Sequence, residues 1–436
     1  MSMIYSELKQ LATAFHEQSV EFATRLIQTK SISCNEKAVA DLYMHELERL
    51  GYDNVFRDDM GNVVGIISLT DCGPSIMYNS HMDHVDAGEI SNWDGYDPYG
   101  GTIDECEVDN QDASEKELSR CIHGRAASDV KGGAAVAVYA GAILLALRNL
   151  GFPLKGKFIF TGVVQEEPAE SAGMSYLVDT TFPQRGISYD AMVSSEATAL
   201  KLMLGSRGRV ELLITVYGRT SHGSAPWRGI NAIEKAVPVL LAIQELAKTL
   251  PADEDLGIAT ITPTIISCSP GQLSIVPDRC VLSIDRRLLP NETVEIAVGQ
   301  IQSVLHSIAD RDPEFKADVK VNSALQTSYT GITQALPKAM PAWKISQDHP
   351  CVLACVDALQ VVGQEVAFGY WDFCTDASKT AGIDRKPCIG YSPMQEQYAH
   401  TPYDKVRCDY MLEALEGNVA IYLALSNQAK QAFQLI

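Results

Sequence analysis

The feature that most constrains this chain is a rhythm: short apolar, β-branched runs that close on a polar cluster before a helical stretch begins. "NVVGIISL" and "SIMYNS" lead into "HMDHVDAG", "KGKFIFTGVV" leads into "QEEPAESAG", and "AMVS" leads into "SEAT". A further cluster, "GRAASDVKGG", opens a long apolar helix over about 134–149. Continuous apolar runs read as strands buried on both faces, and their alternation with helices predicts an α/β fold: a mixed, mostly parallel sheet flanked by helices. Amphipathic spacing predicts helices over about 7–28 and 36–50, while the acidic stretch 104–120 reads as a surface loop or hairpin.

The rhythm breaks near Gly208. "GRVELLITVYG" alternates, a helix follows over about 229–250, then "IATITPTIISCS", "RCVLSIDRRL", a helix over about 292–309 and "FKADVKVNSA". That β-α-β-β-α-β order is the split βαβ unit of a ferredoxin-like α+β sandwich. It predicts an inserted domain at 207–323 between two parts of one metal-binding catalytic domain, 1–206 and 324–436, with hinges near Ser206 and Asn322. After a Pro-rich link the chain is expected to resume with a helix, the strands "EVAFGY" and "KPCIGY", and a final amphipathic helix over about 405–428.

Composition bounds the function. A formal charge of −20 argues against nucleic acid or an anionic membrane as partner, since both demand clustered Lys and Arg. The eleven cysteines are odd in number and form no CxxC pair, so they read as reduced thiols; Cys351 and Cys355 read as core packing on a helix. The N-terminal stretch lacks the charged and apolar regions of a secretory signal, and the longest apolar run is interrupted. A cytoplasmic protein with no membrane span is expected.

In open α/β sheets, sites form at the carboxyl ends of strands. His81, Asp83, Asp129, Glu166, Glu167 and Glu196 all fall there. Each alone has an ordinary explanation: a hydrogen-bonded histidine, a helix cap, a solvated carboxylate. Together they place several anions around one crevice, where repulsion is costly without a cation. A metal resolves it. On an extended segment residues two apart point the same way, so Asp83 is expected to hold the imidazole of His81.

These residues carry a resemblance that spans nearly the whole chain. "SHMDHVDAG", "GRAASDVKGG", "VQEEPAESAG", "VSSEAT" and "YAHTPYDKV" resemble, in order, five motif blocks of the di-zinc peptidase and deacylase family that includes carboxypeptidase G, aminoacylase, acetylornithine deacetylase and succinyl-diaminopimelate desuccinylase. "GRTSHGSAPWRGINAI" and "IVPDRCVLSIDRRLLP" resemble that family's lid and dimerisation domain. With "NWDGYDP" after the first block, the chain is most similar to a branch of uncharacterised peptidases.

The resemblance implies a zinc-exopeptidase-like fold holding two Zn2+ ions, for which Co2+ or Mn2+ could substitute. It implies that His81 and Glu196 bind one metal, Glu167 and His400 the other, and Asp129 both. Glu166 resembles the general base, and Asp83 the partner of His81. His222 matches a lid histidine that reaches the neighbouring subunit's site, and Arg287 an arginine that grips a substrate carboxylate. His84 and Asp86 carry no implied role, and Arg286 is not taken as equivalent to Arg287. The implied protein is a homodimeric amidohydrolase acting on a small N-acyl amino acid or dipeptide with a free carboxylate. Two alternatives are a catalytically silent binder of an amino acid derivative and thiol chemistry at Cys374. The chain departs from the family at Gln165, Ser274, Phe373, Cys374, Ser378 and Asp404, none of them an implied ligand or the base.

Overall fold

A computed structural model describes residues 2–70, 72–168 and 171–434. Its largest sheet has nine strands, running Asn54–Arg57, Val63–Ser68, Lys157–Val163, Ser75–His81, Ala191–Ser194, Cys388–Gly390, Leu202–Ser206 and Trp343–Lys344, with Phe368–Trp371 also on Leu202–Ser206. Lys157–Val163, Ser75–His81, Ala191–Ser194 and Cys388–Gly390 pair in parallel, which sends the polar ends of the first three toward one edge. The flanks are antiparallel, at Val63–Ser68 on one side and at Leu202–Ser206 on the other. The sheet is therefore mixed, with its parallel part at the centre, because an apolar run reports burial and not the direction of its neighbour.

The helix Gly132–Asn149 is apolar on all sides because all its sides are covered. Ser2–Gln28 and Cys408–Leu425 pack on it, Pro350–Val361 packs on Cys408–Leu425, and it lies on two strands of the sheet. The segment Ala127–Asn149 is long and apolar enough to cross a membrane, yet 94% of its apolar window is buried inside the molecule, as a core helix requires. Cys408–Leu425, expected to be amphipathic, is buried along most of its surface for the same reason. Cys351 and Cys355 are buried core residues.

The inserted domain has the expected order. Its sheet runs Thr260–Ser269, Arg279–Leu288, Gly208–Tyr217, Lys316–Val321, all antiparallel, under the helices Ala232–Ala247 and Val294–Ala309. Val210, Leu212 and Ile214 alternate inward to a core separate from that of the main domain. The acidic stretch forms the hairpin Thr102–Asp109 and Lys116–His123.

The return from the inserted domain differs from a plain link. Residues Ser323–Thr327 and Thr333–Pro337 form a hairpin whose tip docks on the main domain: Tyr329 Oη donates to the Gly61 carbonyl at 2.8 Å. A β-carbon at Gly61 would meet the Tyr329 ring at 2.5 Å, so glycine is needed for this approach. The chain then runs back alongside its own exit, Ala339–Met340 pairing with Arg209–Val210 and Trp343–Lys344 with Gly205–Ser206. The two crossings between domains are thus hydrogen-bonded neighbours.

Candidate metal centre

His81 ends the central strand Ser75–His81, and Asp129 sits in the turn before Gly132–Asn149. Glu166 and Glu167 follow Lys157–Val163, Glu196 follows Ala191–Ser194, and His400 arrives on the loop before Lys405–Arg407. Gly133 makes the closure possible: a β-carbon there would meet the Ser195 carbonyl oxygen and Met394 Cε, each at 2.6 Å, so the helix start can abut the Glu196 turn only without a side chain.

Asp129 is the centre of the arrangement. Its Oδ1 lies 3.0 Å from His81 Nε2 and its Oδ2 lies 2.9 Å from His400 Nε2. Around His400, Glu167 Oε2 approaches to 3.2 Å; around His81, Glu196 Oε1 approaches to 3.7 Å. Glu166 groups with His81 and Glu196, their ligand atoms within 4.8 Å of one another, and Glu167 groups likewise with His81 and Asp129. Both groups include His81; of the adjacent glutamates, Glu167 also reaches His400, while Glu166 stands with Glu196.

Asp83 does more than hold His81. The nearer acceptor for His81 Nδ1 is the Asp83 carbonyl at 3.0 Å, with the carboxylate Oδ1 at 3.6 Å. The carboxylate itself accepts from Ser33 Oγ at 2.6 Å and from the backbone N–H of Glu166 and Glu167 at 3.1 and 3.2 Å. Asp404 plays a matching part on the far side. It accepts from the backbone N–H groups of Ala126 and Ser128 at 2.7 and 2.8 Å and from Arg125 at 3.1 Å, so it ties the His400 loop to the Asp129 turn.

The donor set fits a pair of divalent cations. Burial drives the carboxyl groups of Glu166 and Glu196 well above the usual range; the charge of Glu196 raises Glu166 further, and those of Asp129, Asp376 and Glu167 raise Glu196. Hydrogen bonds to Asp129 and Glu167 push His400 up to about 10, and Asp129 and Asp83 raise His81 although burial opposes its charge. So many buried acids can all be ionised only against added positive charge. Two imidazoles, His81 and His400, and three carboxylates, Asp129, Glu167 and Glu196, suit a borderline cation such as zinc.

A cavity of about 340 Å³ opens over Asp129, Glu166, Glu167 and Glu196, and the inserted domain supplies Arg209 and Arg287 to its wall. Asp285 accepts from both arginines, at 2.9 and 2.8 Å. Arg286 is buried and turned to Glu292. Three groups beside the site went unread in the sequence: Arg209, Glu396 and Asp376. Asp376, buried in "FCTDASKT", accepts from Asn79 Nδ2 at 2.9 Å and acts electrostatically on Glu166 and Glu196. It was visible as the one acid of that loop; Arg209 and Glu396 had no local signal. His222 is exposed on an inserted-domain loop, bonded to Ser224 at 2.7 Å, and does not line this cavity in its own chain.

Three other residues have structural explanations. His84 is buried, accepts from the Ser31 N–H and donates to the Val85 carbonyl, and burial lowers its pKa to about 4. Asp86 caps its own turn through the Gly88 N–H. Burial pushes the Cys374 thiol up, which is the wrong direction for a nucleophile. A second group, Asp104, Cys106 and His123, is accounted for within the hairpin, where Asp104 accepts from His123 Nε2 and Tyr96 Oη at 2.8 Å each.

Residues 204–313 match the M20 peptidase dimerisation domain. Over 415 residues the chain is 34% identical to the uncharacterized protein YgeY of Escherichia coli K12, covering 95% of this chain and 96% of that one. The chain belongs to the M20 peptidase family. The M20 likeness extends to the N-formyl-4-amino-5-aminomethyl-2-methylpyrimidine deformylase of Bacillus subtilis, 24% identical with 94% of this chain and 95% of that protein covered. It extends in fold to the YXEP protein of Bacillus subtilis, a dinuclear metal binding peptidase from the M20 family, at a TM-score of 0.66 and 14% identity over 96% of this chain and 100% of that one. As an M20 protein the chain is a hydrolase of the metallopeptidase and amidohydrolase kind.

Proposed function

We propose that this M20 hydrolase cleaves the amide bond of a small N-acyl amino acid or dipeptide bearing a free carboxylate. The observation that carries the reading is Asp129, whose two oxygens face His81 and His400 separately. In this reading His81 and Glu196 would hold one Zn2+ ion, Glu167 and His400 a second, and Asp129 would serve both. Two such ions supply Lewis acidity, lowering the pKa of water and polarising an amide carbonyl. Glu166, grouped with the His81 side, takes the proton of the attacking water and returns it to the departing nitrogen. Arg287, braced by Asp285, grips the substrate carboxylate. His222 of the partner subunit completes the site by donating to the developing oxyanion. The exposed edge strand Thr260–Ser269, with Ile265 and Ile266 outward, suits the two-fold pairing this requires.

The test is hydrolysis of a panel of N-acetyl, N-formyl, N-succinyl and N-carbamoyl amino acids and dipeptides by the zinc-loaded protein and by Glu166→Gln. Release of free amine by the wild type, with about a thousandfold loss of kcat in the variant, is expected for a general base. Tight binding of a panel member without turnover would instead favour a silent binder.

A further inference from the structure

Both domains contribute charge to the cavity. On the inserted-domain side, Arg209 and Arg287 face the site with Asp285 shared between them. From the main domain the short turn Glu396–Tyr398 leads into His400, and it places Glu396 in the cavity lining. Among the described residues, no side chain hydrogen-bonds or ion-pairs with the Glu396 carboxylate; only its backbone carbonyl is used, by the Ala399 N–H at 2.9 Å. Glu396 is exposed to the open cleft, yet the protein crowded around it and the negative charges of Asp372 and Asp129 raise its pKa, as expected of an anion that lacks a counter-ion.

Charge balance sharpens the point. Asp129, Glu166, Glu167 and Glu196 are four carboxylates that two divalent cations would match in charge, and the two further buried acids, Asp83 and Asp376, each have hydrogen-bond donors of their own. Glu396 stands outside that balance, and Arg209 and Arg287, which line the same cavity, are ion-paired with Asp285 rather than with it. In the open cleft water solvates it. A ligand filling the cavity displaces that water, and a neutral acyl group would leave the carboxylate without a partner.

We propose that Glu396 is a specificity-determining residue that selects substrates carrying a protonated amine, so that the protein acts on small zwitterions, with a carboxylate toward Arg287 and an ammonium toward Glu396, in preference to amino acids with neutral acyl groups. This rests on the hydrolase reading above and narrows it to dipeptide-like substrates. The cavity, at about 340 Å³, is of the size that small-molecule sites occupy.

The experiment measures binding and turnover separately on the zinc-loaded dimer. Calorimetry with a phosphinic, non-hydrolysable analogue of Ala-Ala and with its N-acetylated counterpart reads the amine preference directly; rates on Ala-Ala and N-acetylalanine read it in turnover. A preference of about 10–100-fold for the free amine is expected, falling to about twofold in Glu396→Gln. Glu396→Asp should keep its sign, and Glu396→Lys should turn it toward N-succinylalanine. Equal binding of the two analogues, or a preference that survives Glu396→Gln in a variant with wild-type melting behaviour, overturns the proposal even if hydrolysis is found. A preference lost in Glu396→Gln with no turnover of either substrate upholds the proposal and removes the hydrolase reading instead.

Discussion

The Asp83 carboxylate accepts the backbone N–H of Glu166 at 3.1 Å, so the residue that steadies His81 through its carbonyl also sets the position of the proposed base. Asp83→Asn keeps the shape and replaces one acceptor by a donor that faces an N–H. Loss of about 10–100-fold in metal affinity or activity is expected, because groups that orient ligands carry effects of that size. Competitive metal titration alongside kcat checks it; a change in neither would make Asp83 dispensable.

Removing the metals should couple stability to pH. Glu166 and Glu196 have carboxyl groups raised above their unfolded values by burial. Such groups bind protons more tightly when folded, so their contribution is complete below about pH 4.3 and is lost as pH rises through the raised values. The melting temperature of chelator-treated protein should therefore fall from about pH 5 to about pH 8, while the zinc-loaded protein lacks that slope. Parallel curves for the two forms would contradict the assignment of these carboxylates to a cation site.

Gly133→Ala should damage both fold and centre. The new β-carbon meets a backbone oxygen of Ser195 at 2.6 Å, beside Glu196, and backbone cannot swing aside as the Met394 tip can. A loss of about 1–3 kcal/mol in denaturant unfolding is expected, as for overpacked cores, with weaker metal binding. Wild-type stability would mean that the helix start can shift freely.

Donation of His222 across a dimer makes a quantitative prediction. His222→Ala and Glu166→Ala chains are each expected to be nearly inactive. Unfolded together and refolded in equal amounts, they should regain about a quarter of wild-type activity, since half the dimers are mixed and each has one intact site. No recovery would place His222 outside the site.

Three of the polar clusters were readable because each lies at the end of an apolar run, and strand periodicity says where such ends fall; "GRAASDVKGG" was placed by the helix it opens, and "YAHTPYDKV", with His400, by the family resemblance alone. The β-α-β-β-α-β order of the inserted domain was readable for the same reason: alternation in "GRVELLITVYG" and "RCVLSIDRRL" reports one buried face. These are local properties. Sequence alone thus determined which residues stand at strand ends, the α/β class and the presence of a second, ferredoxin-like unit. Tertiary structure decided what periodicity does not encode. Long-range pairing set the antiparallel flanks of the main sheet and the docking of Tyr329 on Gly61. It turned the Asp83 carboxylate to the amides of Glu166 and Glu167, made Asp404 the tie between two loops, and brought Arg209 and Glu396 into the lining of one cavity. Each of these depends on contacts between residues far apart in the chain, whose geometry is fixed only when both domains have packed.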